Sequence, residues 1–307
     1  MGARNAAVVA ALCGAAAAVL YLAVALGSTG AAILVSLAQL PLFLAGLWLG
    51  LGGAAIASLS ATLVLFAAAD LSDAILFAAL NAVPVLVLTR QALLARRDAE
   101  GGLEWYPPGP LTAWLAGLAL LGLGVAILAF GGPHGLESVI RRALDQALAQ
   151  FIDAPAAERS ATTRLIAAVV PGITAASWMV MTITNAVLAQ GILARFGANW
   201  RPSPDIAALA LPVWLPLAAA AAAAAALFGP EARFVGVNVL IALGVPFCLG
   251  GLALFHAVAR RYARPAVLLT IFYVMAGLFG WPLLVAAVMG LIDASLGLRR
   301  RFTPLRR

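Results

Sequence analysis

The chain contains no lysine, and that absence removes two chemistries at once. A phosphate-binding loop of the G-x-x-x-x-G-K-[ST] type needs a lysine on the phosphates, and Schiff-base catalysis needs a lysine amine. Cysteine is nearly absent too: Cys13 and Cys248 both sit in apolar runs, so no disulfide framework is implied. No G-x-S-x-G elbow and no H-E-x-x-H occurs. An enzyme is therefore not expected, and no cofactor is called for. Charge is the other scarcity. Only 10% of the residues are charged, and none lies between Arg4 and Asp70. Roughly 20 apolar residues cross a bilayer core as a helix, so this one stretch is long enough for three passes.

What is present follows the same pattern to the C-terminus. The hydrophobic share is 64% and the mean hydropathy +1.05, well outside soluble averages. In hydrocarbon every backbone N–H and C=O needs an internal partner, so only helices or closed barrels span. Barrel strands alternate apolar and polar residues, whereas these runs are continuously apolar and rich in Ala and Leu. The expected fold is all-α: a polytopic transmembrane helical bundle of about 8–10 membrane elements, with residues 1–307 forming one integral membrane domain.

All nineteen basic residues are arginines, and they gather at the ends of apolar runs. Passes are expected at about 5–27, 31–50, 52–69, 74–94, 110–131, 165–194, 206–227 and 234–258. With the N-terminus inside, and with Arg299–Arg307 inside as well, fourteen arginines fall inside and five outside. That is the positive-inside distribution. It accounts for a pI near 10.6 without nucleic acid as a partner. Residues 265–298 are long for one helix; Gly280-Trp281-Pro282 suggests a turn between two short ones, with a single tilted span as the alternative. Arg4 and the apolar run after it resemble a signal peptide, but further spans follow and a retained helix is expected. His134 and His256 fall on opposite sides, so no metal site is expected.

Residues 132–163 stand out as an external amphipathic segment. Leu136, Ile140, Leu144, Leu148 and Phe151 form one apolar stripe, Glu137, Arg141 and Asp145 lie opposite, and Pro155 ends the pattern. Such a helix would lie flat on the membrane or cover an opening. The inside loop 95–109, with Trp105-Tyr106-Pro107-Pro108, reads as a connector with interfacial anchors. Ala218 to Ala226 is an unbroken alanine run after Pro212 and Pro216, and suits close helix packing.

Polar groups within spans are the candidate site. Thr174, Ser177, Met181, Thr184 and Asn185 recur at helical spacing below Pro171. Asn81 precedes Pro84, Gln39 precedes Pro41, and Asn238 precedes Pro246. Thr174, Ser177, Thr184, Asn185, Asn81 and Asn238 are the candidate ligand-binding residues, forming a polar pocket at proline-weakened helices. The same residues read equally as interhelical hydrogen bonds. No strongly ionisable residue lies mid-span, which argues against a proton-coupled pump.

Two blocks carry a resemblance. One runs from Asn185-Ala-Val-Leu-Ala-Gln-Gly through Asn199-Trp-Arg-Pro-Ser-Pro-Asp205; the other is Val245-Pro-Phe-Cys-Leu-Gly-Gly-Leu-Ala-Leu-Phe-His256 with Phe279-Gly-Trp-Pro-Leu and Leu296-Gly-Leu-Arg-Arg-Arg-Phe302. Together they resemble the YybS-like family of uncharacterised bacterial membrane proteins (DUF2232), in its alphaproteobacterial form. Such proteins look distantly similar to the S-subunits of energy-coupling-factor transporters. The resemblance implies a bacterial inner-membrane location, with both termini cytoplasmic by the arginine count. Two functions remain open: a transport-associated subunit binding a small-molecule ligand, or a non-catalytic scaffold. The expected partners are the lipid bilayer, that ligand, and a protein on the cytoplasmic side.

Overall fold

A computed structural model describes residues 2–97, 101–149 and 156–297, with the side chains of 26 and 156–159 left aside. Asp98, Phe151, Asp153, Pro155 and the Arg299–Arg307 cluster lie outside the described residues. The fold is all-α, as the continuous apolar runs require. Seven stretches are long and apolar enough to cross a membrane among the described residues. The helices group into two compact units: one holds the residues through Leu111 together with Val180–Pro204, the other Thr112–Met179 together with the residues from Asp205 onward.

In the first unit α1 (Ala3–Leu22) packs on α4 (Leu51–Ala68). A Cβ on Gly14 would strike the Ala57 carbonyl, and Ser60 Oγ donates to the Ala11 carbonyl at 3.0 Å, so the two backbones approach closely. The pass expected at 31–50 is not one helix. It is α2 (Thr29–Ser36), capped by Ser28, followed by α3 (Gln39–Leu49). Pro41 brings no N–H to the Leu37 carbonyl, which accepts instead from the Leu40 N–H at 3.0 Å. The fourth pass is interrupted as well. It runs as α5 (Leu71–Phe77), a π-helical turn (Ala78–Ala82) and α6 (Val83–Ala92), with Pro84 just after the widened turn.

The expected connector after α6 is a small hairpin, β1 (Ala95–Arg97) against β2 (Leu103–Trp105), with Arg96 opposite Glu104. Their ion pair is 2.7 Å long but exposed, so it contributes little.

In the second unit α7 (Pro108–Ala129) leads to α8 (Pro133–Ala149) and α9 (Ala156–Ala167). In α8 Leu136 is buried and Ile140, Leu144 and Leu148 are half-buried, and so are Glu137, Arg141 and Asp145 on the polar side. The pass expected at 165–194 begins later, because the chain breaks at Ala168–Val169 before α10 (Val170–Arg195). Pro171 stands in the first turn of α10 rather than above a mid-helix break.

The segment expected as a helical pass over 206–227 also departs from that reading. Asp205 is tied to Arg260 at the end of α12 (Pro230–Ala259), and Gly236 near its start packs on Ala222 of α11 (Trp214–Ala225). The chain therefore runs the length of α12 in the opposite direction, but only α11 is α-helical. Ile206–Ala208 is a single 3₁₀ turn and Leu209 is extended. Pro212 and Pro216 explain the late start, since each withholds a donor from the turn before it. Finally α13 (Pro265–Phe279) and α14 (Trp281–Leu296) meet at 117° on Gly280, whose φ of +70° suits glycine. The turn falls at Gly280-Trp281-Pro282, as its proline suggests.

Candidate functional site

Three buried amides act where helices are interrupted. Each interruption frees backbone groups that the membrane interior does not solvate. Asn185, 1% exposed in the middle of α10, donates through Nδ2 to the Ser36 carbonyl at 2.7 Å and to the Met181 carbonyl at 2.8 Å. Ser36 is the last residue of α2, so this amide caps the broken end. Gln39, fully buried at the start of α3, donates through Nε2 to the Leu80 carbonyl at 3.1 Å. Leu80 lies in the π turn one turn before Pro84, and Asn81 beside it is buried as well.

In the second unit Asn238, fully buried, donates to the Ala168 and Phe234 carbonyls at 2.8 Å and accepts from the Gly172 N–H at 2.6 Å. It joins the end of α9 to the start of α10. A Cβ on Gly172 would lie 2.7 Å from the Asn238 carbonyl oxygen, so glycine permits the approach.

The expected residues are thus only partly assembled. Asn185 and Asn81 lie in the first unit, Asn185 bonded to the end of α2 and Asn81 beside the Leu80 carbonyl that Gln39 caps, while Asn238 serves the α9–α10 joint in the other unit. Thr174, Ser177 and Thr184 are exposed on α10, and Thr184 Oγ1 donates back to the Val180 carbonyl at 2.8 Å. The buried hydroxyl on this helix is Thr182, which stands one turn before Asn185 and is absent from the expected set.

The buried polar side chains of the first unit have two further properties. Gln39, Asn81 and Thr182 stand at the middles of the apolar stretches Thr29–Leu49, Leu71–Ala92 and Val170–Arg195. Their hydrogen bonding is also incomplete. Gln39 Oε1, Asn185 Oδ1 and Thr182 Oγ1 are buried without a partner among the described residues, and so is Ser58 Oγ in α4. Both amide nitrogens point at carbonyls, so it is the amide oxygens that are left over.

Two arginines mark the loop after α10. Arg201 is 5% exposed and donates to the Ala92 carbonyl at the end of α6 at 3.0 Å, while its own carbonyl accepts from Gln190 and Asn199. Burial pulls its guanidinium below the ordinary arginine range. Trp200 beside it packs over Gly50.

Further along, Arg260 grips Asp205 through two hydrogen bonds of 2.6 and 2.8 Å. That grip holds the Asp205 carboxyl below the usual carboxylate range, helped by the Ala207 N–H and opposed by slight burial. A carboxyl depressed in the fold stabilises it above the unfolded pKa, near 4, and the stabilisation fades as pH falls through the folded value. Both side chains are about half exposed, so the effect is screened and small. Wild type is expected to hold an advantage of about 1–2 °C in unfolding temperature over Asp205→Asn at pH 7, and to lose it progressively as pH falls below the ordinary carboxylate range. Thermal scans of both proteins across that range check it.

Among the described residues no group of His, Cys, Asp and Glu is arranged to hold a metal. No curated protein and no solved structure matches the chain. The resemblance read in the C-terminal blocks extends across nearly the whole length: the model of the family described as "Predicted membrane protein (DUF2232)" matches residues 15–294, and the chain belongs to that family of membrane proteins.

Proposed function

We propose that this membrane protein is a non-catalytic, transport-associated subunit that binds a small solute at mid-span in its first unit. The observation that carries the reading is a set of buried polar side chains in the middles of three apolar stretches, Gln39, Asn81, Thr182 and Asn185. Gln39 ties the α2–α3 break to the π turn and Asn185 ties α10 to the same break, with the oxygens of Gln39, Thr182 and Asn185 left unpartnered among the described residues. Interrupted helices at the centre of a bilayer are where transporters place solutes, because freed backbone and side-chain groups can serve a ligand there. A likeness to the S-subunits of energy-coupling-factor transporters would fit the same role. The arginine distribution supports a cytoplasmic-membrane location with both termini inside, where a protein partner would meet the arginine-rich face.

A second reading is a scaffold, and Asn238 favours it. Both of that amide's donors and its oxygen are engaged with backbone at one helix joint.

Native mass spectrometry of the protein, gently extracted in a mild detergent from its own host, separates the two. A recurrent small-molecule adduct on wild type, lost in a folded Asn185→Leu variant, is the expected result. A stable protein partner with no adduct would overturn the solute reading in favour of the scaffold.

A further inference from the structure

The hairpin after α6 borders a cavity of about 330 Å³, lined by Leu94 to Arg96 and Glu104 to Pro107. That is far more than a single water needs, and it stands at the small end of ligand pockets. Register decides which side chains share a face. Ala95 pairs with Trp105 and Arg96 with Glu104, and the Tyr106 N–H donates to the Leu94 carbonyl at 2.9 Å. Side chains alternate along a strand, so Leu94, Arg96, Glu104 and Tyr106 stand on one face, with Arg97 and Leu103 on the other.

The ion pair on that face is only half used. Arg96 Nε donates to Glu104 Oε2 at 2.7 Å, a single-point contact where a guanidinium could make a two-point fork. The two Nη groups and Glu104 Oε1 make no hydrogen bond among the described residues, and both side chains are exposed. The face thus offers donors for an anion beside an acceptor for a cation, with one charge of each sign among its described residues. A ligand carrying both charges a short distance apart matches it; a simple anion would meet Glu104 as well as Arg96.

Position along the chain supplies the source of that ligand. Leu94 stands two residues past the stretch Leu71–Ala92 and Pro107 one residue before Pro108–Ala129, both long and apolar enough to cross a membrane. Two extended residues reach about 7 Å, and the polar layer on each side of a bilayer core is roughly 5–8 Å deep. The cavity therefore lies at headgroup level, where tyrosine is at home.

We propose that this face of the hairpin binds the zwitterionic headgroup of a phosphatidylethanolamine-type lipid. The Arg96 Nη groups donate to its phosphate, and Glu104 Oε1 accepts from its primary ammonium.

The test is native mass spectrometry of the full-length protein in a mild detergent, with dioleoyl phosphatidylethanolamine, phosphatidylglycerol or phosphatidylcholine added at equal concentration. Phosphatidylethanolamine is expected to bind at least fivefold more tightly than the other two, since glycerol carries no positive charge and choline has no N–H to donate. Glu104→Gln should remove that margin, and Arg96→Gln should weaken the binding of all three lipids. Arg97→Gln, on the opposite face of the same strand, should leave the preference as it is. An exposed pair contributes little to stability, so unfolding midpoints near wild type will separate lost lipid from lost fold. Equal binding of the three lipids by wild type would overturn the proposal, as would a preference that survives Glu104→Gln. A preference for phosphatidylglycerol would overturn it in favour of a simple anion site. An equally tight adduct of free phosphoethanolamine would overturn it in favour of a soluble ligand.

Discussion

Replacing Gly251 by leucine is expected to abolish recovery of folded protein, with a loss of more than about 3 kcal/mol. Helices α12 and α14 approach backbone to backbone. A Cβ on Gly251 would fall on the Ala286 carbonyl, and one on Gly290 would fall on the Phe247 carbonyl. The contact is reciprocal, backbone against backbone, so no side chain can swing aside to make room. Between helices in lipid no hydrophobic force restores the pair, and association depends on packing and weak Cα–H···O contacts at short range.

Size-exclusion profiles and thermal midpoints in detergent supply the readout. Gly244→Ala on the same helix is the control, because an added Cβ there meets nothing within 4 Å. It should be neutral or stabilising by up to about 1 kcal/mol through helix propensity. A Gly251→Leu protein with wild-type profile and midpoint would mean that α12 and α14 do not approach as described.

The next largest loss is expected for Asn238→Leu, about 2–3 kcal/mol. An interhelical hydrogen bond in a membrane protein averages only about 0.6 kcal/mol, so three ordinary bonds would give less than this. The difference lies in what the substitution leaves behind. The Ala168 carbonyl loses its Asn238 donor at the end of α9, and the Gly172 N–H loses its acceptor in the first turn of α10, where no intrahelical partner exists. A buried group left unpaired costs about 1–3 kcal/mol. Asn238→Asp separates the contributions, since the neutral carboxyl that a membrane interior imposes still accepts from Gly172 but can donate to only one of the Ala168 and Phe234 carbonyls. Its midpoint should fall between those of wild type and Asn238→Leu. Equal midpoints for Asn238→Leu and wild type would show that the α9–α10 joint does not depend on this amide.

The membrane class and the helical fold were legible because charge is excluded from spans everywhere, and hydropathy reads that exclusion directly. Helix α8 and the turn at Gly280 were legible for local reasons: an apolar stripe with period near 3.6, and a Gly-Trp-Pro sequence. The interruption at Leu37–Ala38 was half visible, since Pro41 was noted but not its effect four residues earlier. Hydropathy concealed the non-helical stretch before Trp214, because alanine and leucine score alike whether coiled or extended. The hairpin at Ala95–Trp105 was missed because its strands are three residues long and exposed; the Gly101-Gly102 pair was the available signal.

For the candidate site, residue type was readable and direction was not. In a soluble helix the apolar stripe points to the core, but α10 is apolar on every side, since lipid and neighbouring helices are equally greasy. Thr174, Ser177 and Thr184 therefore read as candidate pocket residues, and they are exposed on α10. Thr182, two positions from Thr184, was passed over.

The bond between Asn185 and Ser36 joins residues 149 positions apart within a single compact unit. At a synthesis rate of roughly 5–20 residues per second, that separation is on the order of 10–30 s. Throughout that interval α2 ends in a carbonyl whose partner has not yet been made, with α3 already emerging behind it. The first unit cannot close as it is produced; it waits, open at its centre, while most of α7 through the first half of α10 is translated. Ribosomal timing thus makes the last helix to arrive the one that seals the earliest break. A chain stopped before Val180 carries every helix of that unit except its clasp.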